Sequence, residues 1–580
     1  PLTRPAIIME KQTLLAIALS AAVLIGWQFL FPPPPPTSTT VPAATNSSPT
    51  IVRDENESAV SENSVSPLSA SLPSVDESQP AKQVVVETPH YRLTFNTRGA
   101  VAESLLLQEY QHNKGRLTLS TWFPYLTSFL GASNEEIVTE DNKVNMFAND
   151  LDNVHQFAVE LEDDPQLSAR LQRTVFSESQ GDLLLEEGTA SLQFVSPVVD
   201  GLQLIKTFEF FADSFQIGYQ VQVINRSQEA KSLRIRHVFG EGRVQNDDYQ
   251  QQGAHTGPVY FVEESVETET NSDVQQEFQV ANAEWFGVED QFFLNAVRAE
   301  SPIRFAYFRS AAALVDQRTM LRPYFGARLP LVSLQPDRQI ESNFRAYFGP
   351  KLEDEMLKFG HNLRESNAMF LETLAAPLLT LLHWIFGYVG NYGIAIIILT
   401  IIVRLLLFPL TYKGMKGMKR MQQLAPRMKK IQEKYKDNRE KLNQEMMELY
   451  RKNKVNPLGG CLPLLLQIPV FIALYSALSG AVELRHAPFM LWLSDMSAPD
   501  GLGITPILMG VSLYFQQKLT PTAATMDPMQ QKIMQYLPLV FTIFTFTFPA
   551  GLTLYWLTSN LLSIAQQQFL NRIKTPELQD

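Results

Sequence analysis

The chain has 580 residues, a formal net charge of −12 and a single cysteine. Its length exceeds that of one ordinary domain, so several structural parts are expected. One cysteine excludes a disulfide within the chain, and neither a Cys-x-x-Cys motif nor a His/Cys spacing typical of metal sites is present. Apolar runs lie near the N-terminus and after Leu378, and a long polar region separates them.

The first apolar run, from Thr13 to Phe31, is long enough to cross a bilayer, which takes about 20 residues. A cleaved signal peptide is the alternative, but such a peptide has a shorter apolar core and a small-x-small site after it. Here aromatic residues lead into a run of prolines at 32–36. We therefore predict an uncleaved anchor within residues 1–31, with its start in the cytoplasm because Lys11 precedes the span.

Residues 32–82 are rich in Pro, Ser, Thr, Asn and Glu, so we predict a disordered linker that cannot bury a core. From 83 to 350 apolar and polar residues alternate, for example in Tyr91–Phe95 and Phe215–Val223. Such alternation between turn signals predicts an antiparallel β-sandwich with solvated outer faces. A group of aromatic residues here permits a ligand-stacking interpretation, although core packing is simpler: Trp285, Phe286, Phe292 and Phe293.

From 351 to 580 the sequence predicts a membrane-embedded helical region. A segment at 374–386 has a polar edge and is expected to lie along the outer membrane surface. Five spans are expected after it, at 392–410, 462–481, 504–519, 533–548 and 552–569. The first of these is expected to end at Pro409. With the anchor they make six spans and place both termini in the cytoplasm, as the distribution of basic residues requires.

A basic loop at 411–456 carries fourteen Lys or Arg residues and five acidic ones. Two short helices are predicted within it, at 426–435 and 438–453. Apolar residues such as Leu442 and Met446 fall on one face of the second helix, which indicates a helical hairpin. Placement in the cytoplasm beside the membrane explains the positive charge, so nucleic-acid binding is not favoured.

Arg404 is a charge inside the span at 392–410, where a charged side chain costs a few kcal/mol on insertion scales. Snorkelling to the cytoplasmic headgroups is one explanation, because the residue lies about 9 Å from the end of the span. Thr400 lies one turn earlier on the same helix face, and a hydroxyl beneath the guanidinium favours a polar cavity. The late spans carry many hydroxyl and amide residues, for which hydrogen bonding between helices is the simpler interpretation.

Several short motifs together carry a resemblance to a known family. They are Gly390–Gly393, the Thr400–Arg404 pair, Lys454–Cys461, Gln467–Pro469, Val482–Arg485, Asp527–Lys532 and Ser559–Asn560. As a set they resemble the YidC family of membrane protein insertases, closely over about 375–570. The N-terminal anchor and the large domain at 83–350 resemble the Gram-negative branch of that family.

The resemblance implies a multi-pass α-helical membrane protein with six spans and a five-helix insertase core, plus an all-β periplasmic domain of the supersandwich type. It implies a hydrophilic groove, open to the cytoplasm and to lipid, and substrate-contacting residues within it: Arg404, Thr400, Gln467, Trp556 and Tyr555. Trp556 stands where many relatives have tyrosine, and its indole N–H can only donate a hydrogen bond. No catalysis, cofactor or metal is implied.

The resemblance also implies that the protein inserts, folds and assembles newly made membrane proteins in the bacterial inner membrane, alone or with the Sec translocon. Residues 32 to about 390 would then be periplasmic, and the hairpin would receive clients at the groove mouth. Some relatives bind ribosomes through a basic tail, but Lys574–Asp580 holds one basic residue, so ribosome docking through the tail is not expected. Neither nucleic acid nor a small-molecule substrate is implied.

Two rival classes of function remain. A small-molecule or ion transporter would use Arg404 as an anion site, but inverted repeats are not evident across the late spans. A periplasmic ligand sensor with a membrane anchor would need only one or two spans. The sequence has no Gly-x-x-x-x-Gly-Lys-Ser/Thr motif, so no ATP site is expected.

Overall fold

The computed structural model describes residues 80–111, 143–147, 155–241, 255–269, 277–315, 318–367, 371–435, 438–453, 462–519 and 528–572. The anchor predicted at 1–31 and most of the linker predicted at 32–82 lie outside the described residues. So do the Lys454–Cys461 motif and the last residues of the chain, 573–580.

The first part of the described chain is built from strands with two short helices. In chain order the strands are β1 (Gln83–Glu87), β2 (Tyr91–Asn96), β3 (Val101–Gln111), β4 (Lys143–Asn145), β5 (Val159–Leu161), β6 (Ser177–Glu178), β7 (Leu183–Leu184), β8 (Thr189–Val195), β9 (Leu202–Phe211), β10 (Gln216–Asn225), β11 (Lys231–Leu233), β12 (Ile235–Glu241), β13 (Gly257–Val262), β14 (Ser265–Thr268), β15 (Phe278–Val280), β16 (Trp285–Glu289), β17 (Phe293–Ala299), β18 (Phe305–Val315), β19 (Arg318–Arg328), β20 (Val332–Leu334) and β21 (Gln339–Pro350). The helices are α1 (Pro165–Arg173), which follows β5, and α2 (Glu353–Phe359), which follows β21.

Three larger sheets and one small ribbon contain these strands. The largest has the order β14-β13-β16-β17-β21-β10-β9-β8-β6, and two five-stranded sheets have the orders β4-β3-β2-β1-β7 and β15-β18-β19-β12-β5. β11 and β20 form the ribbon. Neighbouring strands are antiparallel except β1 and β7, which pair in parallel. The described residues therefore confirm a β-rich domain built from antiparallel sheets.

Alternation along the strands buries one face of each sheet, as the sequence pattern predicts. At the centre of the large sheet Tyr219 of β10 pairs with Phe208 of β9 and with Phe344 of β21. Their rings lie 5.0 and 6.1 Å from that of Tyr219, and all three side chains are buried. The aromatic group at 285–293 also lies in this core, since Trp285 and Phe286 are fully buried.

A lysine lies inside this apolar core. Lys206 occupies an inward position of β9 and is 1% exposed. Its Nζ donates to the carbonyl oxygens of Gly99 at 2.7 Å, Ala100 at 3.0 Å and Phe157 at 2.8 Å. Three acceptors match the three N–H groups of an ammonium, while burial lowers the pKa of Lys206 to about 7. The side chain thus joins β9 to two other segments of the domain.

The second part of the described chain is helical. It contains α3 (Glu372–Val389), α4 (Tyr392–Lys434), α5 (Arg439–Lys452), α6 (Leu462–Gly480), α7 (Ile504–Leu519), α8 (Pro528–Thr545) and α9 (Ala550–Arg572). The 3₁₀ turns Leu363–Asn367 and Val482–Leu484 precede α3 and follow α6. α9 packs against α4 and α7, and α3 packs against α4 and α6.

The helix α4 is longer than the sequence predicts. It starts at an N-cap, Asn391, whose side chain accepts a hydrogen bond from the Ile394 amide at 3.0 Å. The prediction that the span ends at Pro409 is wrong, because the helix continues through Pro409 and Pro426 to Lys434. A proline removes one backbone hydrogen bond, and a membrane helix tolerates that loss where neighbouring helices and polar side chains support it. The first hairpin helix is therefore an extension of α4.

α5 returns alongside the end of α4. It begins after Asn438, whose side chain accepts from the Lys441 amide at 3.1 Å. The two helices share a small apolar core that contains Leu424, Met428, Met446 and Tyr450. The structure thus has the hairpin that the apolar face of the sequence indicates.

Two of the described helices are long and apolar enough to cross a membrane by length and composition: Glu372–Val389 and the part of α4 at Tyr392–Met421. Shorter apolar stretches occur at Gln467–Gly480 in α6 and Gln535–Thr545 in α8. The first of these helices is the one expected to lie along the outer surface, and its composition also suits a span. These lengths do not confirm the predicted count of six spans.

The loop that follows α6 contacts the end of β3. Arg485 Nη1 donates to the carbonyl oxygen of Gln111 at 2.7 Å, and His486 Nε2 lies 2.9 Å from the same oxygen. The buried carboxylate of Asp495 lies 3.0 Å from His486 Nδ1 and orients the imidazole ring. Arg485 thus ties this loop to the β-rich domain through a directed hydrogen bond, with His486 in contact with the same carbonyl.

Candidate functional site

Arg404 lies in the first third of α4, is half-buried, and turns toward α9. Its Nε donates to Ser559 Oγ at 3.1 Å, and its Nη2 donates to the Ser559 carbonyl oxygen at 3.1 Å and also to Ser559 Oγ. Ser559 itself is buried. The guanidinium is therefore directed into the helical bundle and held by one residue, which contradicts simple snorkelling to the headgroups.

A second polar contact lies one helical turn before Ser559 on the same face of α9. Gln467 of α6 donates from Nε2 to the Tyr555 hydroxyl at 2.6 Å, and Tyr555 is buried. Because residues four apart share a helix face, Tyr555 and Ser559 together form a polar stripe on α9. Arg404 meets this stripe from α4 and Gln467 meets it from α6.

Two of the five predicted site residues lie apart from this stripe. The Thr400 hydroxyl donates to the Ile396 carbonyl of its own helix at 2.6 Å, and Thr400 is buried. The hydroxyl of Thr400 thus uses its one donor on the backbone of α4, and among the described residues the guanidinium of Arg404 donates to Ser559 instead. Trp556 is half-buried, and its ring lies 4.9 Å from that of Phe471 and 5.5 Å from that of Phe541.

The direct partner of Arg404 was not predicted. Ser559 appears in the sequence only within a family motif and among the polar residues of the last span. Its position four residues after Tyr555 is the one signal that could have placed it on the same face. Which residue of α4 it would meet depends on how two helices pack, and one helix pattern does not contain that information.

The other polar residues of the late helices divide into two groups. Asn560 Nδ2 donates to Ser512 Oγ at 3.1 Å, a contact between α9 and α7. The hydroxyls of Thr542 and Thr553 instead donate to backbone carbonyls of their own helices, at 2.7 and 3.2 Å. Hydrogen bonding between helices thus explains Asn560 and leaves the threonines as helix-internal donors.

The charge of Arg404 is not neutralised within the described part of the chain, where it forms no ion pair. Within the same residues no group of three or more His, Cys, Asp or Glu is arranged to hold a metal ion. A guanidinium does not deprotonate in proteins, so the bundle contains a fixed positive charge beside the hydroxyl of Tyr555 and the amide of Gln467.

Around this polar interior the helices expose apolar side chains. Leu405 and Leu406, which follow Arg404, are 66% and 76% exposed, and on α8 Ile543 and Phe544 are 64% and 61% exposed. A soluble protein rarely exposes so much contiguous apolar surface, whereas a helical bundle in lipid does. The fold and site therefore define a membrane protein with a polar helical interior and a β-rich domain outside the bilayer.

Comparisons with known proteins agree with that class. The family described as 60Kd inner membrane protein matches residues 384–577, and the YidC periplasmic domain matches residues 133–396. The membrane protein insertase YidC of Geobacter sulfurreducens is 38% identical over 498 residues, which cover 85% of this chain and 86% of that protein. The YidC of Geotalea uraniireducens is 34% identical over 574 residues, 97% of this chain and 99% of that protein.

The chain belongs to the YidC family of membrane protein insertases. It is therefore an inner-membrane protein, and its β-rich region corresponds to the periplasmic domain of the family. A crystal structure described as an active YidC insertase with its first transmembrane domain resolved covers 87% of this chain and 95% of that chain. Its identity is 17% and its TM-score is 0.36, a likeness too low to support an argument about the fold.

Proposed function

We propose that this protein inserts newly made membrane proteins into the bacterial inner membrane through a polar groove centred on Arg404. The observation that carries the proposal is the guanidinium held inside the bundle by Ser559, without a neutralising carboxylate in the described residues. The groove is lined by the predicted residues Gln467, Tyr555 and Trp556 as well. Thr400, one turn before Arg404 on α4, completes the set of proposed groove residues.

The physical task is to move the polar flank of a client across about 30 Å of hydrocarbon. A groove that extends partway from the cytoplasm provides polar side chains and water over part of that distance. Arg404 attracts acidic or polar residues of the client, and the attraction is strong because the surroundings have a low dielectric constant. The apolar helix of the client then moves sideways into lipid, and hydrophobic partitioning drives the step without ATP or a cofactor.

The proposal includes six spans: the anchor in 1–31 and the helices α4, α6, α7, α8 and α9, of which the last five form the insertase core. Both termini are then cytoplasmic, residues 32 to about 390 are periplasmic, and the linker 32–82 joins the anchor to the β domain at 83–350. α3 lies at the outer surface. The basic loop at 411–456, which this orientation places in the cytoplasm, supports it.

The hairpin formed by the end of α4 and by α5 receives clients at the groove mouth. Its apolar core uses Met428 and Met446, while Met447 is 61% exposed. Methionine provides adaptable apolar surface for varied client helices. Deleting 426–453 is expected to abolish insertion while the β-rich domain remains folded, and intact insertion after the deletion would exclude this role.

The test is reconstitution of the full chain in liposomes without the Sec translocon, with a single-span client that carries an acidic translocated tail. Insertion is measured as protease protection of the tail. We expect Arg404→Ala to lower the insertion rate at least about tenfold, the equivalent of about 1.4 kcal/mol, because the attraction to the tail is lost. Arg404→Lys keeps the charge and is expected to stay within about threefold of wild type.

Arg420→Ala is the matched control, because Arg420 lies on the same helix beyond the polar stripe. It is expected to insert at the wild-type rate. A wild type that inserts no client in this system would contradict insertion by the chain alone and favour delivery from the Sec translocon. A flux of small anions that depends on Arg404 would favour the transporter.

A further inference from the structure

The guanidinium of Arg404 is held along one edge and left open along the other. Arginine has five N–H donors, one on Nε and two on each terminal nitrogen. Nε and Nη2 both donate to Ser559, and within the described residues Nη1 has no hydrogen-bond partner. Ser559 therefore fixes the plane of the guanidinium and leaves the two N–H groups of Nη1 for another acceptor.

Ser559 supplies two acceptor atoms to that edge, its hydroxyl oxygen and its carbonyl oxygen. Two oxygens facing Nε and Nη2 resemble the fork contact that a carboxylate makes with arginine. A serine, however, is neutral and does not cancel the charge. The same carbonyl oxygen also accepts a hydrogen bond from Ser563 Oγ at 2.9 Å, so a side chain of the next helical turn helps to fix its position.

We infer that Ser559 is a positioning residue that orients Arg404 toward the acidic groups of clients while keeping its charge available. The inference rests on the proposed function, and it adds a residue on α9 that determines how well the arginine works. In the low-dielectric interior an acid at position 559 would neutralise Arg404 and remove the attraction. An apolar residue there would keep the backbone carbonyl that accepts from Nη2 but remove the hydroxyl that accepts from both Nε and Nη2, so the guanidinium would lose the second acceptor that fixes its plane.

Two matched clients separate positioning from general damage. They differ only in the translocated tail, which carries either aspartates or asparagines at the same positions. With full-length protein in liposomes we expect Ser559→Ala to lower insertion of the aspartate client about tenfold and that of the asparagine client less than twofold. Ser559→Thr keeps the hydroxyl and is expected to restore the aspartate client to within about threefold of wild type.

A second variant keeps the inference testable even if the alanine variant folds poorly. Ser559→Asp is expected to pair with Arg404, so its thermal unfolding temperature stays equal to or above that of wild type. Insertion of the aspartate client should nevertheless fall about tenfold or more. Ser563→Ala is the control, because Ser563 contacts the same carbonyl but not Arg404, and it should insert both clients normally.

The outcomes distinguish this inference from the proposed function. If wild type inserts the aspartate client and Ser559→Ala or Ser559→Asp matches it, positioning by Ser559 is wrong and the groove proposal stands. If Ser559→Ala lowers both clients equally and threonine does not restore them, Ser559 has a structural role only. If wild type inserts neither client and Arg404→Ala makes no difference, the proposed function fails and this inference fails with it.

Discussion

The β-rich domain and the helical bundle each enclose a cation, and the two are held in different ways. In the β domain Lys206 is 1% exposed and donates to three backbone carbonyl oxygens. In the bundle Arg404 is half-buried and uses two of its three nitrogens, both on Ser559. Lys206 thus has no donor left for a ligand, whereas Arg404 keeps Nη1.

Lys206 and Arg404 show that burial does not identify a functional charge, whereas unsatisfied N–H donors do. Burial alone would select Lys206, which is the more enclosed of the two. The number of satisfied donors selects Arg404, because a cation with donors left over can bind something else. Accordingly, we expect changes at Lys206 to alter the stability of the β domain, and changes at Arg404 to alter insertion.

The largest effect on stability is expected for Lys206→Met. The substitution leaves the buried carbonyl oxygens of Gly99 and Ala100 without this donor, whereas that of Phe157 still accepts from the Tyr219 hydroxyl at 3.1 Å. At a cost of about 1 kcal/mol for each of the two, the β domain should lose about 2 kcal/mol of opening free energy. The measurement is native-state hydrogen exchange in β9 and β10 of the full chain. Lys82→Met is the control, because that side chain is 70% exposed, and it should change the opening free energy by less than about 0.5 kcal/mol. A loss as small as that of the control would mean that the three contacts are not stabilising.

A smaller effect is expected from pH. Burial lowers the folded-state pKa of Lys206 to about 7, whereas an unfolded lysine titrates near 10.4. Between these values the unfolded chain binds more protons than the folded chain, so this residue makes the domain more stable as pH rises from 7 to 9. Burial and Lys206 lower the pKa of His237 to about 3, so that ring stays neutral throughout.

We expect the gain from pH 7 to pH 9 to be about 1–2 kcal/mol in wild type and absent in Lys206→Met. Hydrogen exchange, corrected for the intrinsic rate at each pH, measures the difference between the two proteins. An equal pH dependence in both would show that Lys206 keeps its proton in the folded domain up to pH 9.

The smallest effect is expected at the contact between α9 and α7. Hydrogen bonds between membrane helices are worth about 0.6 kcal/mol on average, so Asn560→Ala and Ser512→Ala should each destabilise the bundle by about that amount. The double variant should cost no more than either single one, if both act through the same bond. Thermal unfolding in detergent measures the stability of both single variants and the double variant. If the two single losses of stability add fully in the double variant, a shared contact is contradicted.

Much of the β domain could be predicted from its sequence, because alternation in Phe215–Val223 specifies a buried face directly. Lys206 also had a signal, since it falls in the inward phase of β9 between Leu204 and Phe208. Which carbonyls it would meet could not be predicted, because Gly99 and Phe157 are distant in sequence and are brought together by the fold.

In the bundle the sequence indicated Arg404 through its cost in a membrane, and Gln467 and Tyr555 through family resemblance. The sequence predicted an end at Pro409, whereas the helix continues, because proline ends helices in water but is tolerated in a packed membrane helix. The hydrogen bond from the Thr400 hydroxyl to its own backbone could not be predicted, because a shared helix face does not say whether a hydroxyl donates outward or within the helix. The contact between Ser559 and Arg404 could not be predicted, because it depends on how α9 packs on α4.

The most direct test of the groove is whether water reaches Gln467 from one side of the membrane. In a Cys461→Ser background, Gln467→Cys and Leu406→Cys are exposed in turn to a membrane-impermeant maleimide, on the cytoplasmic and then the periplasmic side of oriented vesicles. A groove open to the cytoplasm predicts that Gln467→Cys reacts only from the cytoplasmic side. Leu406→Cys, which is on the apolar outer surface of α4, should react from neither side. Reaction of Gln467→Cys from both sides would indicate a transport pathway, and reaction from neither side would contradict the groove.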